Sequence, residues 1–372
     1  MTAFKAGRIG GIMVLCLGLA STAGWADILL GHSGDLSGTT AALTKDYVRG
    51  MNAYFDDLNE KGGIRGEKIK LVSLDDGFNP DHTVDNTKAL IEQNVLALVG
   101  YRGTANLLKI APLVQAAGIA EVGNTAGAKS LRDPYVPNLF HLRASTTDEV
   151  EAGVAHAWTI GVTRIAAVFQ DDPFGKEALE ALNAALKKRG GAPLVVAPVP
   201  RGSVEVAAAL EAVVAAKPQA VFFLGQSKPA AALIKGMHAK GAKPQFFVLS
   251  VASGVHAELG EAAAGVIVSQ VVPYPFTELG NPVVREYQAI MAKRADTKFS
   301  YNSMEGFLNA KLITRALVKT AAPLTRAKLI ATLEGFRNED LGGFLVTYGK
   351  QSNLGSHFVA LTMIRKDGSF AR

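Results

Sequence analysis

Cysteine is nearly absent from this sequence of 372 residues, in which Cys16 is the only one. Cys16 lies in an N-terminal segment that we expect to be removed on export, so the predicted mature chain contains no cysteine. Disulfide bonds, thiol catalysis and cysteine metal ligands are therefore excluded from it. A lipoprotein signal would also need a small residue directly before the cysteine, and Leu15 stands there. We therefore expect an unlipidated protein.

Long apolar runs are also missing, except near the N-terminus. The run from Ile9 to Ala20 follows Lys5 and Arg8 and precedes the small residues of Gly24-Trp25-Ala26. This order of positive charge, apolar run and small residues predicts a signal peptide over residues 1–26, cleaved after Ala26. The run is too short to span a bilayer, and no later segment is long and apolar enough to do so. We therefore expect an exported, periplasmic protein.

An excess of one sign of charge is lacking as well. The sequence has 39 Lys and Arg against 33 Asp and Glu, a formal net charge of +6. Without residues 1–26, 37 basic and 33 acidic side chains remain, a net charge of +4. The basic residues are scattered, and their one cluster, Lys187-Lys188-Arg189, ends a predicted helix, where cations complement the helix dipole. This pattern does not favour a nucleic-acid partner.

The short motifs of common catalytic sites are not found. The seven histidines form no H-E-x-x-H pair, and neither a G-x-S-x-G elbow nor a P-loop lysine occurs. The turn from Gly31 to Gly34 lacks the glycine spacing of a dinucleotide site. We therefore expect that the protein holds neither a metal ion nor a cofactor and that it is not an enzyme. An exported enzyme with Glu121 and Asp76 as acid and base remains one alternative, and a sensor module acting on a membrane receptor is another.

Strand and helix patterns alternate along the chain, which favours parallel sheets with helices on both faces. The segment Ser145-Thr146-Thr147-Asp148 interrupts this rhythm, and a second set of strand–helix units follows it. In that set, Gln170 to Gly175 is predicted as an exit turn, and Asp171 and Asp172 are expected to cap the helix after Pro173. Two sets joined by a crossover predict two α/β lobes that face each other across a cleft. The predicted strands are 28–31, 69–74, 95–99, 118–122, 140–143, 165–169, 194–197, 220–224, 246–249, 266–268, 344–348 and 357–364.

Two successive predicted strands end in loops of small and hydroxyl residues. Gly100 to Thr104 follows the strand 95–99 and opens a helix, and Gly123 to Gly127 follows the strand 118–122. Ligands bind beyond the carboxyl ends of parallel strands, where free N–H groups attract anions. These two loops therefore predict a ligand site. Arg102 either pairs with a ligand carboxylate there or is a solvated loop arginine.

Three segments resemble the Leu/Ile/Val-binding periplasmic proteins, which are type I solute-binding components of ABC importers. They are Asp35-Leu36-Ser37-Gly38, the stretch NEKGGIRG from Asn59 to Gly66, and Asp75-Asp76-Gly77, and NEKGGIRG is the most specific. The resemblance implies two doubly wound parallel-sheet lobes, joined by three crossovers, with the ligand cleft between them. Residues 27–145 and 275–350 would form the first lobe, and residues 146–274 and 351–372 the second.

The resemblance also implies partners and ligand contacts. We expect a monomer that binds an amino acid or a related small carboxylate or amide and delivers it to an ABC permease in the inner membrane. The family's ligand carboxylate is held by a hydroxyl residue, which corresponds to Thr104, and by the next loop, which corresponds to Thr125, Ala126 and Gly127. The aromatic residue that packs on the ligand from the second lobe corresponds to Phe174. The position of a first-lobe aromatic in the branched-chain binders is occupied here by Leu43.

One position departs from the family pattern. The residue after the strand 246–249 is often acidic and holds the α-ammonium of the ligand, and here it is Ser250. A buried ammonium needs a counter-charge. Glu121 either supplies that charge or satisfies a neighbouring arginine. The ligand is therefore expected to be an amino acid if Glu121 faces it, or a carboxylate or amide without an amino group if it does not.

Overall fold

The computed structural model describes residues 1–3, 27–277 and 280–372 of the chain. The predicted apolar run of the signal peptide and its cleavage site at Ala26 lie outside the described residues. Within the described ranges, no helix combines the length and the apolar character that crossing a membrane requires.

The first part of the chain builds a five-stranded parallel sheet in the order β2-β1-β3-β4-β5. Helices alternate with these strands because apolar runs alternate with capped amphipathic segments. Asn79, for example, accepts a hydrogen bond from the Asp81 N–H and so caps the second helix. The elements are β1 (Ile28–Gly34), α1 (Ala41–Glu60), β2 (Ile69–Asp75), α2 (Pro80–Glu92), β3 (Ala97–Val99), α3 (Thr104–Ala116), β4 (Glu121–Val122) and β5 (Leu139–Phe140).

A second sheet follows, with the strand order β14-β13-β10-β9-β8-β6-β7. Its five strands β6 to β10 run parallel to one another. The elements of this part are α4 (Thr146–Thr159), β6 (Ile165–Asp171), α5 (Pro173–Lys187), β7 (Val196–Pro200), α6 (Ala207–Ala216), β8 (Ala220–Leu224), α7 (Ser227–Ala239), β9 (Gln245–Val248), α8 (Val255–Leu259) and β10 (Ile267–Gln270).

The last part of the chain returns to both sheets. The first two of its helices pack on α1, and its final two strands join the second sheet in antiparallel orientation. The elements are α9 (Pro282–Lys293), α10 (Tyr301–Lys319), α11 (Arg326–Glu334), the hairpin strands β11 (Glu339–Asp340) and β12 (Leu345–Val346), β13 (Ala360–Ile364) and β14 (Phe370–Ala371). The prediction of parallel sheets is therefore wrong for the predicted strands 344–348 and 357–364, which correspond to β12 and β13.

The return of α10 to the first lobe depends on two glycines. A Cβ atom at Gly50 would lie 1.8 Å from the carbonyl oxygen of Ser303, and one at Gly306 would lie 1.9 Å from that of Tyr47. Only glycine allows the backbones of α1 and α10 to approach this closely. The contact fixes a helix from the end of the chain against a helix from its beginning.

Several predicted boundaries differ from the observed ones for local reasons. β3 begins only at Ala97, because the Val95 N–H bonds to the Leu90 carbonyl and closes α2. The predicted turn from Gln170 to Gly175 is wrong, because β6 continues to Asp171 and α5 begins at Pro173. Asp172 caps α5 through the Gly175 N–H at 3.0 Å, which confirms the role expected of an aspartate before Pro173.

Candidate functional site

The carboxyl ends of the parallel strands of the two sheets face each other and close over a small cavity. Its free volume is about 20 Å³, which is room for about one water molecule. The lobes are therefore shut in this conformation, and a larger ligand must enter by their opening. From the first lobe the cavity is lined by Phe78, Arg102, Gly103, Thr104, Thr125 and Ala126.

The first-lobe side is built by the loops after β3 and β4, as the sequence predicts. Gly103 precedes α3 with a φ of 93°, a conformation that favours glycine, and α3 begins at Thr104. The Thr125 N–H bonds to the Tyr101 carbonyl at 2.9 Å and ties the two loops together. The hydroxyl oxygens of Thr104 and Thr125 are buried and have no hydrogen-bond partner in the protein. Both are available to a ligand.

Arg102 lies in the first of these loops and is buried, with 5% of its surface exposed. One terminal nitrogen is 3.4 Å from both the Gln226 side-chain oxygen and the Val251 carbonyl, and its Nε has no partner. Among the described residues, no carboxylate forms an ion pair with it. Burial, assisted by the nearby cation of Arg143, lowers the pKa of Arg102 to about 10, so the side chain stays charged at neutral pH.

The second lobe contributes Gln170, Asp172, Phe174, Gln226 and Val251 to the cavity wall. The Asp172 carboxylate accepts from the Gly175 N–H and, at 2.7 Å, from the Gln170 side chain. It also lies 3.4 Å from the Nε of Arg201. The charge of this carboxylate is therefore already matched by a guanidinium.

Arg201 reaches across the cleft from the loop after β7. It donates to the Phe78 carbonyl and to the Asn106 side-chain oxygen, at 2.9 Å each. A further contact across the cleft joins Ser130, through its N–H and hydroxyl, to the carboxylate of Glu177 on α5. These contacts hold the two lobes in the closed arrangement.

The structure brings five of the predicted site residues together at the cavity: Arg102, Thr104, Thr125, Ala126 and Phe174. The other three lie outside its wall. Leu43 packs against Gly254 of the second lobe, and the Gly127 carbonyl accepts the Thr146 N–H at 2.7 Å. The Ser250 hydroxyl accepts a hydrogen bond from the Arg143 guanidinium.

Ser250 belongs to a buried charged cluster beside the cavity. Its N–H bonds to the Glu149 carboxylate at 2.8 Å, and the Nε of Arg143 lies 3.2 Å from the Glu305 carboxylate. Burial raises the pKa of Glu305. Arg143 also donates to the Thr125 carbonyl. Through Arg143, this cluster connects the ligand loop to the second lobe.

Glu121 does not line the cavity. Its carboxylate accepts from the Asn124 side chain at 2.8 Å and from the Tyr101 N–H at 3.3 Å. Burial raises the pKa of Glu121 to about 8. The alternative that Glu121 satisfies a neighbouring arginine is wrong, because its partners are an amide and a backbone N–H.

Sequence reasoning missed several cavity residues. Phe78 and Gln226 follow β2 and β8, so the rule that ligands bind beyond the carboxyl ends of parallel strands, applied to every strand, would have found them. The same rule covers Gln170 at the carboxyl end of β6 and Val251 after β9. Asp172 was interpreted only as a helix cap, and its place in the cavity wall depends on closure of the lobes.

Two α/β lobes that close over a polar cavity define a binding protein that holds its ligand between the lobes. The chain belongs to the periplasmic binding protein family, because a sequence model of that family matches residues 27–369. The resemblance found in the sequence and the type I periplasmic-binding-protein fold that it implies are thereby confirmed.

Individual relatives agree with this assignment. The chain is 27% identical over 266 residues to a protein of Pseudomonas aeruginosa named "Amino acid binding protein", an alignment covering 70% of each chain. A substrate-binding periplasmic protein from Ralstonia solanacearum is 32% identical, with a TM-score of 0.87, and the match covers 92% of this chain and 99% of that one. A "possible leucine/isoleucine/valine-binding protein" from Rhodopirellula baltica is 27% identical, with a TM-score of 0.89 and coverage of 95% and 98%.

Proposed function

We propose that this protein is the periplasmic substrate-binding component of an ABC importer. It captures an amino acid or a related small carboxylate in the cleft and delivers it, as a monomer, to a permease in the inner membrane. The family assignment supports a binding role in the periplasm, and the names of the relatives support an amino acid or a related molecule as the ligand. The expected cleavage after Ala26 would release the protein into the periplasm.

The observation that carries the proposal is the set of unpaired polar groups at the closed cavity. The Arg102 Nε and the hydroxyl oxygens of Thr104 and Thr125 are all buried without a partner. A buried polar group without a hydrogen bond is costly, and a buried charge without a counter-charge is more so. A carboxylate satisfies all three groups at once, because it offers two charged acceptor oxygens.

The rest of the cavity wall suits the remainder of such a molecule. Phe78, Phe174, Ala126 and Val251 provide apolar surface, and Gln170 and Gln226 provide amides. Ligand sites typically combine an apolar lining with a few polar groups that fix orientation. The proposed ligand is therefore a small molecule with a carboxylate at one end and apolar atoms at the other.

The carboxylates that an enzyme would need as acid and base are otherwise engaged, which supports a binding role. Glu121 is bonded to Asn124 and the Tyr101 N–H. Asp76 accepts from the Phe78 N–H at 2.9 Å and from the hydroxyls of Ser33 and Thr83. Neither carboxylate is part of the cavity wall.

We further propose that the first lobe comprises residues 27–145 and 275–350, and that the second comprises residues 146–274 and 351–372. The three crossovers, near 145–148, 272–275 and 349–353, would then act as hinges. The strands β1 to β5 and β6 to β10 form separate sheets, which supports this division. Small-angle scattering with and without a saturating ligand should show compaction, and an unchanged radius of gyration would count against hinge closure.

A thermal-shift screen of residues 27–372 tests the proposed ligand class, because a ligand that binds the folded state raises its stability. The panel contains amino acids, aliphatic and aromatic carboxylates, dicarboxylates and amides. At least one compound with a carboxylate should raise the melting temperature, and titration calorimetry should then give a dissociation constant. Stabilisation by none of the carboxylates would contradict the proposal.

A further inference from the structure

We infer that the ligand carries a carboxylate but no ammonium group, so that it enters the cavity as an organic monoanion and not as a zwitterionic amino acid. This inference rests on the proposed function, since it names the ligand class of the same site.

The first argument is the charge balance of the cavity. Arg102 lies in its wall, and two further guanidinium groups contact wall residues: Arg201 reaches Phe78 and Asp172, and Arg143 reaches the Thr125 carbonyl. The charge of Arg143 is offset by Glu305 at 3.2 Å. The Arg201 and Asp172 charges offset each other at 3.4 Å. Arg102 remains without an ion-pair partner among the described residues, and it is buried. Glu305 and Asp35 act on Arg102 only from beyond ion-pair distance. One positive charge at the cavity therefore lacks a direct partner, and a monoanion neutralises it whereas a zwitterion does not.

The second argument is that the nearby carboxylates are engaged elsewhere. Asp172 is the only carboxylate among the lining residues, and each of its oxygens already accepts a hydrogen bond, from Gly175 and Gln170. Asp35 accepts from the N–H groups of Gly38 and Thr40. Glu305 pairs with Arg143, and Glu121 and Glu149 are bonded to Asn124 and to the Ser250 N–H respectively. None of these last four carboxylates lines the cavity.

The third argument concerns the neutral acceptors. The Arg143 guanidinium donates to both the Ser250 hydroxyl and the Thr125 carbonyl. An ammonium placed near either oxygen would therefore meet a second cation beside Arg102. Losing its hydration without a counter-charge in this setting is unfavourable. The same cation favours a carboxylate held by Arg102, Thr104 and Thr125.

Matched probes test this inference by titration calorimetry on residues 27–372. L-Leucine, 4-methylpentanoate and 3-methylbutylamine share one branched skeleton and differ in which charged groups they carry. L-Phenylalanine and 3-phenylpropanoate form a second pair. In the pair that fits the cavity, the acid without an amino group should bind at least about tenfold more tightly than the amino acid. 3-Methylbutylamine should not bind.

A charge-changing variant gives an independent readout. Gln226→Glu adds a carboxylate to the cavity wall beside Arg102, whereas Gln219→Glu adds the same charge before β8, at the opposite end of that strand. The preference for the acid over the amino acid should fall at least about tenfold in Gln226→Glu and stay unchanged in Gln219→Glu. Equal preferences in the two variants would overturn the inference.

The outcomes separate the inference from the proposed function. If L-leucine or L-phenylalanine binds as tightly as its acid partner, the inference is wrong and the proposed function stands. If 3-methylbutylamine binds in preference to both leucine and 4-methylpentanoate, the cavity selects cations and the inference is again wrong. If no carboxylate of these two sets or of the thermal-shift panel binds, the proposed function itself fails, and the inference fails with it.

Discussion

The guanidinium of Arg201 lies 4.3 Å from the centroid of the Phe78 ring and donates a 2.9 Å hydrogen bond to the Phe78 carbonyl. Phe78 follows β2 in the first sheet, and Arg201 follows β7 in the second. The contact therefore exists only while the two lobes are closed. Because Arg201 also lies beside Asp172 in the cavity wall, it connects closure of the lobes to the ligand site.

Replacing Arg201 should weaken ligand binding without removing a proposed ligand contact. Arg201→Gln loses a charge-assisted hydrogen bond and a stacking contact, and such a bond contributes about 1.5–3 kcal/mol. When the closed state is less stable, fewer molecules are closed, and the apparent affinity falls in proportion to the closed fraction. We expect titration calorimetry to show an affinity that is lower by about one to two decades.

Arg189→Gln is the matched control for this variant. Arg189 donates to Ala185 on α5 and to Glu151 on α4, so its contacts stay within the second lobe. Its removal should leave both the affinity and the ligand-induced compaction in small-angle scattering unchanged. An equal loss of affinity in both variants would assign the effect to charge alone and contradict a role in closure.

The unpaired hydroxyls of Thr104 and Thr125 should affect binding and stability in opposite ways. Thr104→Val and Thr125→Val keep the side-chain shape and remove an oxygen that has no partner in the ligand-free protein. Unfolding free energy should therefore stay the same or rise. Each substitution should lower carboxylate affinity by about one to two decades, the value of a charge-assisted hydrogen bond.

Thr320→Val provides the contrast. The Thr320 hydroxyl is buried but paired, with the Ala316 carbonyl at 2.8 Å and the Thr332 hydroxyl at 3.0 Å. Its loss should cost about 1 kcal/mol of stability, as for a typical intramolecular hydrogen bond, and leave the affinity unchanged. Chemical denaturation and titration calorimetry on the three variants measure both quantities. Unchanged affinity in Thr104→Val and Thr125→Val would place the ligand elsewhere.

The fold was predictable to the extent that its signals are local. Apolar runs, the Asp172 cap and the loops before Thr104 and Thr125 are each contained in a few adjacent residues. The packing of α10 on α1 was not predictable, because the contact between Gly306 and the Tyr47 carbonyl joins residues far apart in the chain. The same reason explains the antiparallel β13, whose direction depends on its partner β10.

The site was predictable in its first lobe and much less so in its second. Thr104 and Thr125 could be found because the strands that precede their loops, β3 and β4, are consecutive strands of the chain and also neighbours in the sheet. Arg201 reaches Phe78 across 123 positions, and Arg143 engages Ser250 across 107. Such pairings depend on how the lobes close, which no local pattern encodes. Ser250 shows this most clearly. The resemblance places it at a ligand-binding position, whereas in the structure its hydroxyl accepts a hydrogen bond from Arg143.

Asp172 combines a structural and an electrostatic role that two substitutions should separate. Asp172→Asn keeps an oxygen that can cap α5 but removes the negative charge beside Arg201, so stability should change little and affinity for a monoanion should rise. Asp172→Ala removes the cap as well and should cost about 0.5–2 kcal/mol. Thermal unfolding and calorimetry of both variants distinguish the roles. Weaker anion binding in Asp172→Asn would contradict the charge balance inferred for the cavity.

Glu121 should make the stability of the protein depend on pH. Its pKa is raised by burial from 4.5 to about 8 in the folded protein. Between these values the unfolded chain releases the proton while the folded protein retains it, so the unfolded state binds fewer protons and stability falls as the pH rises. Below about pH 4.5 the contribution is constant, and above about pH 8 the loss is complete.

Comparison with Glu121→Gln isolates this effect, because glutamine does not titrate. The unfolding free energy of the wild type minus that of the variant should decrease from pH 5 to pH 8, with a slope of up to about 1.4 kcal/mol per pH unit. His141, the other side chain bonded to Asn124, has its pKa lowered by burial and stays neutral over this range. The exposed Glu92→Gln variant controls for loss of a negative charge. Urea denaturation at several pH values measures the difference, and a difference that is constant or increases with pH would show that Glu121 is already ionised in the folded protein.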